Sequence, residues 1–519
     1  MGDDVGWNDV GFHNPKVKTP NIDALLKVGI KLSNNYAAPL CSASRSALMT
    51  GRYPIHNGFQ HMVFAVQAPS CLPLEHKLLP EYMKDEGYVT KMLGKWHLGY
   101  CTEECLPRQR GWDEFRGILG GESDYYTWEE DGVVLKYINN TVNTPSKIDP
   151  IHLSIQDKVD VRDMIMAHTG NTDPLFMIVS PNAPHSPFEV TDSMYNVHSN
   201  LELDPSNPDQ DARRKYLGLV SALDDIVGET MQALRDSDLL TNSVIVFQSD
   251  NGGSNIRGGH GECYGNNYPL RNGKTSPYEG GIKVPTIYVD HRLPAFTQGT
   301  ERNFMMHITD WLPTFLDLAG GTTEASHIDG VSQISNLGYV YRPFHKYTVR
   351  DRFLVNMDTV STDKEVYKCT DRDSAFRYKD WKLVYGEKTT WSGPEDTPDT
   401  YRKPEESPEL PTITGDSCVS PDGQIRCLFN LKYDPSEQHN LYDSKPKIVE
   451  KLLAMINELK PTIVREVYEE EVEICDSNTI AIDEIYVPRI PQCVTSNFKL
   501  QPNYPECNQD FNTEQREEL

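Results

Sequence analysis

The sequence lacks the features that would place the chain in a membrane or on nucleic acid. Its 519 residues contain no uninterrupted apolar run of roughly eighteen residues, so we expect no membrane span. Positive charge is scarce, because 50 Lys and Arg residues face 76 Asp and Glu residues, and the net charge of −26 excludes general nucleic-acid binding. An anionic substrate therefore needs local positive charge at its site.

The start of the chain also lacks a secretion signal. Met1-Gly2-Asp3-Asp4 offers neither a charged segment nor an apolar one, so any signal peptide has been removed or was never included. The cysteines nevertheless indicate an oxidising compartment: of the eleven, Cys41 lies in an unusual Ser/Ala/Arg setting, and the other ten form an even set. The glycosylation sequon Asn139-Asn140-Thr141 agrees with passage through the secretory pathway.

Short apolar runs alternate with amphipathic helical patterns in the first two thirds of the chain. Runs at 88–93, 175–179 and 244–247 each end in polar residues, as buried strands followed by loops do. A helical pattern separates the last two runs, with an apolar face of Tyr216, Val220, Leu223, Val227, Met231 and Leu234. The alternation predicts an α/β fold with a large doubly wound mixed sheet flanked by helices. We expect the functional site where the strand ends meet.

The pattern changes after about residue 340. Short strands are predicted at 380–385 and 427–431, followed by a helix over 448–459, which is typical of a smaller α+β domain. From about residue 470 the periodicity is lost, and the polar tail contains Cys475, Cys493 and Cys507. We predict three parts: a large α/β domain over 1–340, a smaller α+β domain over 341–469 and a cysteine-bearing tail over 470–519.

Two pairs of oxygen ligands, Asp3-Asp4 and Asp250-Asn251, are each expected beside a strand of the sheet. Four such ligands suit Ca²⁺ or Mg²⁺ rather than zinc, which takes histidine or thiolate. Either pair alone is more often a helix cap or a turn. The prediction of a metal site therefore requires that the two pairs converge.

Lys95, His97, His185 and Lys274 occur in loops rich in glycine and proline. Two lysines with two histidines can hold a tetrahedral oxyanion, since the lysines take its charge and the imidazoles exchange protons. Each residue alone is more simply interpreted as a solvated loop position. The sequence has 15 histidines, which leaves many chances for accidental placement.

Cys41 opens a segment that is predicted to start a helix, where the helix dipole favours anions. Three interpretations are open for this residue. The first is a disulfide partner, which residue type alone favours. The second is a thiolate nucleophile, and the third is a cysteine that has been converted to another group.

The segment from Cys41 to Arg52 resembles the signature of type I sulfatases. It reads Cys-x-Ala-x-Arg and ends in Thr-Gly-Arg, and the family's further motifs follow in the family's order. The resemblance runs from Asp3 to about Tyr442 and implies an alkaline-phosphatase-like fold. Within the family, residues 69–80 and 104–107 are most similar to the arylsulfatase B group, the N-acetylgalactosamine-4-sulfatases. The further motifs are Asp3-Asp4, Gly94-Lys95-Trp96-His97-Leu98-Gly99, Ser249-Asp250-Asn251-Gly252 and Lys274 before Glu279-Gly280-Gly281.

The resemblance implies the chemistry of sulfate-ester hydrolysis. In the family, the formylglycine-generating enzyme oxidises the signature cysteine, here Cys41, to formylglycine. One hydroxyl of the hydrated aldehyde attacks sulfur and expels the alcohol, and the second allows the aldehyde to reform as sulfate leaves. The substrate implied is a sulfated carbohydrate, such as N-acetylgalactosamine 4-sulfate of glycosaminoglycans, or an aryl sulfate.

The resemblance also implies a role for each candidate residue. Ca²⁺, with Mg²⁺ as the alternative, is held by Asp3, Asp4, Asp250, Asn251 and the side chain at position 41. Arg45 steadies the modified side chain, Lys95 and Lys274 hold the sulfate, His185 protonates the leaving oxygen, and His97 accepts the proton of the second hydroxyl. The implied destination is the secretory pathway, with delivery to the lysosome or secretion.

The chain departs from the family in two respects. The family has an apolar first strand before the Asp-Asp pair, where this sequence has Met1-Gly2, so we expect a loosely held pair or an exposed neighbouring strand edge. The similarity implies disulfides between Cys71 and Cys105 and between Cys369 and Cys427. Part of the pattern must differ, however, because Gln67 stands where the group has a second cysteine and Cys101 is extra.

Two other functions compete with hydrolysis of sulfate esters. A phosphatase or phosphodiesterase would have a similar sheet and would also use a bound metal for catalysis. Cys41 and the Asp/Asn ligand set count against this function. A catalytically silent, sulfatase-like secreted protein that binds glycans or serves structurally is the third candidate. Specificity is expected in the loops 121–137 and 258–267, which contain aromatic and polar residues without a recognisable motif.

Overall fold

The structure is a computed structural model, and it describes residues 1–60, 63–64, 68, 70–130, 133–134, 136–139, 141–142, 150–255, 264–322, 328–338, 349–358, 372–387, 402–464, 479–482 and 485–488. None of the helices in these ranges is long and apolar enough to cross a membrane. These helices are α1 (Pro20–Val28), α2 (Cys41–Thr50), α3 (Leu79–Asp85), α4 (Leu153–Met166), α5 (Asp192–Asn196), α6 (Pro208–Asp236), α7 (Glu279–Ile282), α8 (Trp311–Ala319), α9 (Ile334–Leu337) and α10 (Pro446–Leu459).

Strands occur along the whole described part of the chain. They are β1 (Ile30–Leu32), β2 (Asn35–Tyr36), β3 (Val89–Gly94), β4 (Glu114–Ile118), β5 (Glu129–Glu130), β6 (Val133–Val134), β7 (Lys136–Ile138), β8 (Thr141–Val142), β9 (Leu175–Ser180), β10 (Val244–Gln248), β11 (Thr286–Asp290), β12 (Thr300–Arg302), β13 (Met306–His307), β14 (Arg352–Asp358), β15 (Arg372–Tyr378), β16 (Trp381–Glu387), β17 (Gln424–Asn430), β18 (Thr479–Ile482) and β19 (Ile485–Pro488).

Most strands of the α/β region form two hydrogen-bonded blocks, and β2 with β13 and β5 with β6 form two further two-stranded sheets. One block has the order β8-β7-β4-β3-β9, in which β3 runs parallel to β4 and to β9. The other has the order β10-β11-β1-β12, in which β10 runs antiparallel to β11. Helix α6 packs against α4 and buries Tyr216, Val220 and Leu223, as its apolar periodicity predicts. The predicted α/β fold with a mixed sheet flanked by helices is confirmed.

An apolar cleft of about 500 Å³ separates the two blocks between β9 and β10. The apolar side chains at 175–179 and 244–246 are only half-buried there. At the carboxyl ends of the strands, the Met1 ammonium donates to the Val179 carbonyl oxygen (2.6 Å), and Gly2 forms a parallel bridge with Ser249. An exposed strand edge is therefore present, as expected, whereas the following pair, Asp3 and Asp4, is fully buried rather than loosely held.

A further antiparallel sheet of order β14-β15-β16-β17 shares a core with α10. Leu383 and Leu428 of the sheet and Leu452 of the helix are buried in it. The strands predicted at 380–385 and 427–431 and the helix predicted at 448–459 are therefore present. The predicted boundaries near 340 and 470 lie outside the described residues, as does the cysteine-bearing tail, and the division into three parts stays a prediction.

The described residues contain two disulfides. The bond between Cys71 and Cys105 confirms the pairing implied by the family resemblance. Cys427 is bonded to Cys418, so the implied pairing of Cys427 with Cys369 is wrong. The reason is local: a bridge between Val419 and Ile425 brings the two Cα atoms within 5.2 Å, which a disulfide can span. Cys369 and Gln67 lie outside the described residues.

Candidate active site

The loops after β3, β9 and β10 bring the predicted site residues to one side of the sheet. Lys95 follows β3 directly, His185 lies after β9, and Asp250 lies after β10. Strands β3 and β9 end together, since Gly94 is in register with Ser180. Gly94 has a φ of 99°, and a Cβ there would lie 1.9 Å from the Ser180 carbonyl oxygen. The close approach of these two strand ends therefore requires glycine.

Cys41 is the first residue of α2 and is almost fully buried. It forms no disulfide in the described part of the chain, so the interpretation that residue type alone favours is wrong. Burial raises the pKa of its thiol, and this effect outweighs the opposing charges of Lys274 and Lys95. A thiol that stays protonated is a weak nucleophile, which also disfavours the thiolate interpretation.

Three cation–carboxylate pairs surround position 41, and all of their side chains are buried except that of Lys274, which is 13% exposed. The pairs are Lys95 with Asp3 (2.7 Å), Lys274 with Asp4 (2.7 Å) and Arg45 with Asp250 (2.8 Å). In addition, the Asn251 amide donates to Asp4 Oδ1 (2.7 Å). The two oxygen-ligand pairs of the sequence therefore converge, as the metal prediction requires.

The charge pairs set the pKa values of the three carboxyl groups. Burial raises the pKa of Asp3 and of Asp4, but the charges of Lys95 and Lys274, respectively, together with nearby His185, outweigh it and hold both below the ordinary value. Asp250 differs, because burial and the negative charge of Asp3 outweigh the neighbouring cations and raise its pKa. A cation bound among these groups favours the ionised form of each.

The donor atoms of the cluster fit a divalent cation. Asp3 Oδ1 and Asn251 Oδ1 are buried oxygens with no hydrogen-bond donor among the described residues. One ligand atom from each of Asp3, Cys41 and Asp250 lies within 4.8 Å of the other two. Carboxylate and amide oxygens are the ligands that Ca²⁺ and Mg²⁺ prefer. The residues predicted to hold the cation therefore have the chemistry that it needs.

His97 is buried in a left-handed backbone conformation, with a φ of 54°. Its Nε2 lies 3.0 Å from the Phe64 carbonyl oxygen, and its Nδ1 has no hydrogen-bond partner among the described residues. Burial, reinforced by the charge of Lys95, holds the pKa of this ring well below its ordinary value. The ring is therefore neutral and able to accept a proton.

His185 has the opposite electrostatic environment. Its Nε2 lies 3.2 Å from Lys274 Nζ and 3.7 Å from Asp4 Oδ2. Burial and Lys274 favour the neutral ring, but the carboxylates of Asp3 and Asp4 outweigh them and raise the pKa of His185. The two histidines thus differ in the protonation state that they favour: His185 favours the protonated form, which a proton donor needs, and His97 favours the neutral form, which an acceptor needs.

The sequence analysis missed Glu122, which contacts His185. Its Oε2 lies 3.3 Å from His185 Nδ1 and accepts a hydrogen bond from Ser186 Oγ (3.2 Å). Burial raises its pKa, but the hydrogen bond and charge of His185 outweigh burial and lower the pKa to about 2. Glu122 lies in the loop 121–137, whose Gly-Glu-Ser-Asp start carries no motif. The other loop expected to set specificity, 258–267, lies largely outside the described residues.

Comparison with known proteins shows that the chain is similar to sulfatases over most of its length and not only at the site residues. The sulfatase family model matches residues 1–321. Arylsulfatase J of Mus musculus is 33% identical over 479 residues, which cover 89% of this chain and 75% of that protein. N-acetylgalactosamine-6-sulfatase of Homo sapiens is 30% identical over 359 residues, or 64% of each protein. The crystal structure of Ps i-CgsB in complex with k-i-k-neocarrahexaose superposes with a TM-score of 0.71 at 26% identity, covering 91% of this chain and 94% of that one.

Proposed function

The chain belongs to the sulfatase family of sulfuric ester hydrolases, and from this premise we propose that its site around Cys41 hydrolyses sulfate esters. The observation that carries the proposal is the convergence of ligand oxygens, cations and Cys41 at one helix start. A sulfate ester is an anion, and Lys95, Lys274 and Arg45 balance the charges of Asp3, Asp4 and Asp250, so that a bound divalent cation would give the site a net positive charge inside a molecule of net charge −26.

The cation of the proposed site is Ca²⁺, with Mg²⁺ as the alternative. It is held by Asp3, Asp4, Asp250, Asn251 and the side chain at position 41. When bound, a divalent cation supplies Lewis-acid stabilisation to a sulfate oxygen. The two buried oxygens of Asp3 and Asn251 that have no hydrogen-bond donor among the described residues support this assignment.

Cys41 is the residue that the formylglycine-generating enzyme converts to formylglycine in our proposal. The modification supplies a hydroxyl nucleophile and a route by which sulfate leaves without attack by a separate water molecule. The raised pKa of the unmodified thiol supports the need for conversion. Arg45 steadies the side chain, since its guanidinium is fixed by Asp250 and by Ser180 Oγ (2.9 Å).

The remaining site residues bind the sulfate and move protons. Lys95 and Lys274 hold the sulfate oxygens, His185 protonates the leaving oxygen, and His97 accepts a proton from the hydroxyl at position 41. The opposite pKa shifts of the two histidines support this division of roles.

The proposed substrate is a sulfated carbohydrate, such as N-acetylgalactosamine 4-sulfate of glycosaminoglycans, or an aryl sulfate. The names of the relatives include both classes, an arylsulfatase and an N-acetylgalactosamine-6-sulfatase. The proposed location is the secretory pathway, with delivery to the lysosome or secretion. The two disulfides support an oxidising compartment.

The alternative is a catalytically silent, sulfatase-like secreted protein with a glycan-binding or structural role. We do not favour it, because three charge pairs, buried except for Lys274, around a ligand-oxygen cluster are costly to maintain in a protein that performs no chemistry.

Release of inorganic sulfate from 4-nitrophenyl sulfate tests the proposed function. Protein from a secretory host is expected to release sulfate in the presence of Ca²⁺. Activity should disappear after chelation and return when Ca²⁺ is added, whereas Cys41→Ala should remain inactive throughout. A wild-type sample with an aldehyde at position 41 and bound Ca²⁺ that releases no sulfate would contradict the proposal.

A further inference from the structure

We propose that Glu122 is a positioning residue that holds His185 in the orientation needed to protonate the leaving oxygen. This inference rests on the proposed function of the site and assigns a role to a residue outside its sequence motifs. Glu122 Oε2 lies 3.3 Å from His185 Nδ1, on the side of the ring that faces away from Lys274.

Two acceptors surround His185 Nδ1. Besides Glu122, the carbonyl oxygen of Ser186 lies 3.0 Å from it, and the Ser186 hydroxyl, 3.3 Å away, donates its own hydrogen to Glu122 Oε2. A carboxylate and a carbonyl can only accept hydrogen bonds, so Nδ1 must carry a hydrogen to satisfy them. The arrangement resembles the way an acidic partner fixes the tautomer and ring orientation of a functional histidine in many sites.

Fixing Nδ1 leaves Nε2 as the atom that faces the reacting centre. Nε2 lies 3.2 Å from Lys274 Nζ and 3.7 Å from Asp4 Oδ2. The Lys274 ammonium can only donate, so Nε2 is the acceptor in the absence of substrate, and the proposed step requires Nε2 to carry a proton once Lys274 contacts the sulfate instead. In the proposed step, the proton on Nε2 moves to the leaving oxygen while that oxygen keeps the electron pair of the breaking S–O bond. The Nδ1 hydrogen stays on the ring, and its contact with Glu122 keeps the ring in place during the transfer.

Glu122 is itself held in place by its own loop. The Glu130 carboxylate accepts hydrogen bonds from the amide of Gly121 (2.9 Å) and from that of Glu122 (3.4 Å). A Cβ at Gly121 would lie 2.8 Å from His97 Nε2, so the turn packs directly against the second histidine. The backbone of Glu122 is therefore held by this turn, and its side chain, 40% exposed, extends from the turn to His185.

A comparison of leaving groups separates this role from a purely structural one. 4-Nitrophenolate leaves readily without a proton, whereas 4-methoxyphenolate needs one. We expect Glu122→Ala to lower kcat about tenfold more for 4-methoxyphenyl sulfate than for 4-nitrophenyl sulfate, with KM changed less than about twofold. Glu122→Gln keeps an acceptor oxygen for Nδ1 and should recover part of the loss.

The matched control is Glu129→Gln, which removes the same charge from the same loop at a half-exposed side chain. It should leave kcat for both esters unchanged. Equal losses of kcat on the two esters, a loss confined to KM, or a Gln variant no better than the Ala variant would overturn the assignment of Glu122. If wild-type protein releases sulfate from neither ester, the proposed function itself fails, which is a distinguishable result.

Discussion

Strands β9 and β10 pass through two different environments along their length. At their carboxyl ends, Met1 and Gly2 lie between them, and buried ion pairs fill the space beyond. Over the rest of their length they line an apolar cleft, and their side chains are half-buried. The site is thus held by opposite charges from loops, whereas the strands beneath it are held by apolar contacts that are incomplete on one side.

The two environments differ in what a single substitution costs. Removing one partner of a buried ion pair leaves an uncompensated charge, which typically costs about 3–5 kcal/mol. A half-buried apolar side chain is still partly in contact with water in the folded state, so its substitution lowers the free energy of unfolding by less. Substitutions in the site should therefore affect both stability and activity, and those in the cleft should affect stability slightly and activity not at all.

The largest effect is expected for Lys95→Met, which leaves the fully buried Asp3 without its 2.7 Å partner. The free energy of unfolding should fall by about 3–5 kcal/mol. Sulfate release should fall by about 10² to 10³ because a charge on the sulfate oxygens is lost. Denaturant unfolding and 4-nitrophenyl sulfate turnover measure the two effects.

The control for this variant is Lys84→Met, which removes an equally short ion pair to Asp113 on the surface. Exposed pairs contribute at most about 1 kcal/mol, so stability and turnover should change little. Similar losses in the two variants would show that burial does not set the difference between the regions.

Glu130, at the rim of the site, provides a test based on how stability depends on pH. Burial, together with the charge of Glu122, raises the pKa of Glu130 to about 7 from an ordinary 4.5. Because the folded state holds this proton more tightly, the group contributes stability that is complete below about pH 4.5 and is lost as the pH rises through 7. Glu130→Gln should remove on the order of 3 kcal/mol of this pH dependence.

Urea unfolding of the wild type and of Glu130→Gln at pH 5 and pH 8 measures the difference. Glu129→Gln, at the neighbouring half-exposed position, should retain most of the wild-type pH dependence, because burial raises the pKa of Glu129 less than that of Glu130. A Glu130→Gln variant that still loses as much stability as the wild type between the two pH values would contradict the assignment.

The smallest effect is expected in the cleft. Val246→Thr places a hydroxyl at a half-buried position of β10, and the free energy of unfolding should fall by less than about 1 kcal/mol with turnover unchanged. Val289→Thr in the adjacent strand β11 is the matched change at a fully buried position and should cost about 1–3 kcal/mol. Equal costs at the two positions would show that the cleft side is as well packed as the core.

Much of the fold and of the candidate site follows from local sequence. The apolar runs before Lys95, His185 and Asp250 predict strands. Strands β3 and β9 are parallel and in register, which brings their following loops together, and a bridge from Gly2 to Ser249 lies at the end of β10. The buried face of α6 follows from its periodicity. The residues of the family motifs are the ones that lie close together in the structure, as charge pairs and as candidate ligands.

The rest depends on contacts that sequence spacing does not report. Glu122 lies in a loop with no motif, and only the packing of that loop against the loop of His185 gives it a role. The family resemblance pairs Cys427 with Cys369, whereas the bond to Cys418 depends on a local strand pairing that composition does not specify. The division of the strands into two blocks depends on long-range pairing and has no counterpart in the apolar pattern.

The central claim is that Cys41 is converted for sulfate-ester hydrolysis, and mass spectrometry of one peptide tests it most directly. Trypsin releases residues 32–45, which contain Cys41, from protein made in a secretory host known to modify other sulfatases. We predict an aldehyde or its hydrate at position 41. A thiol or a disulfide at that position would contradict the account.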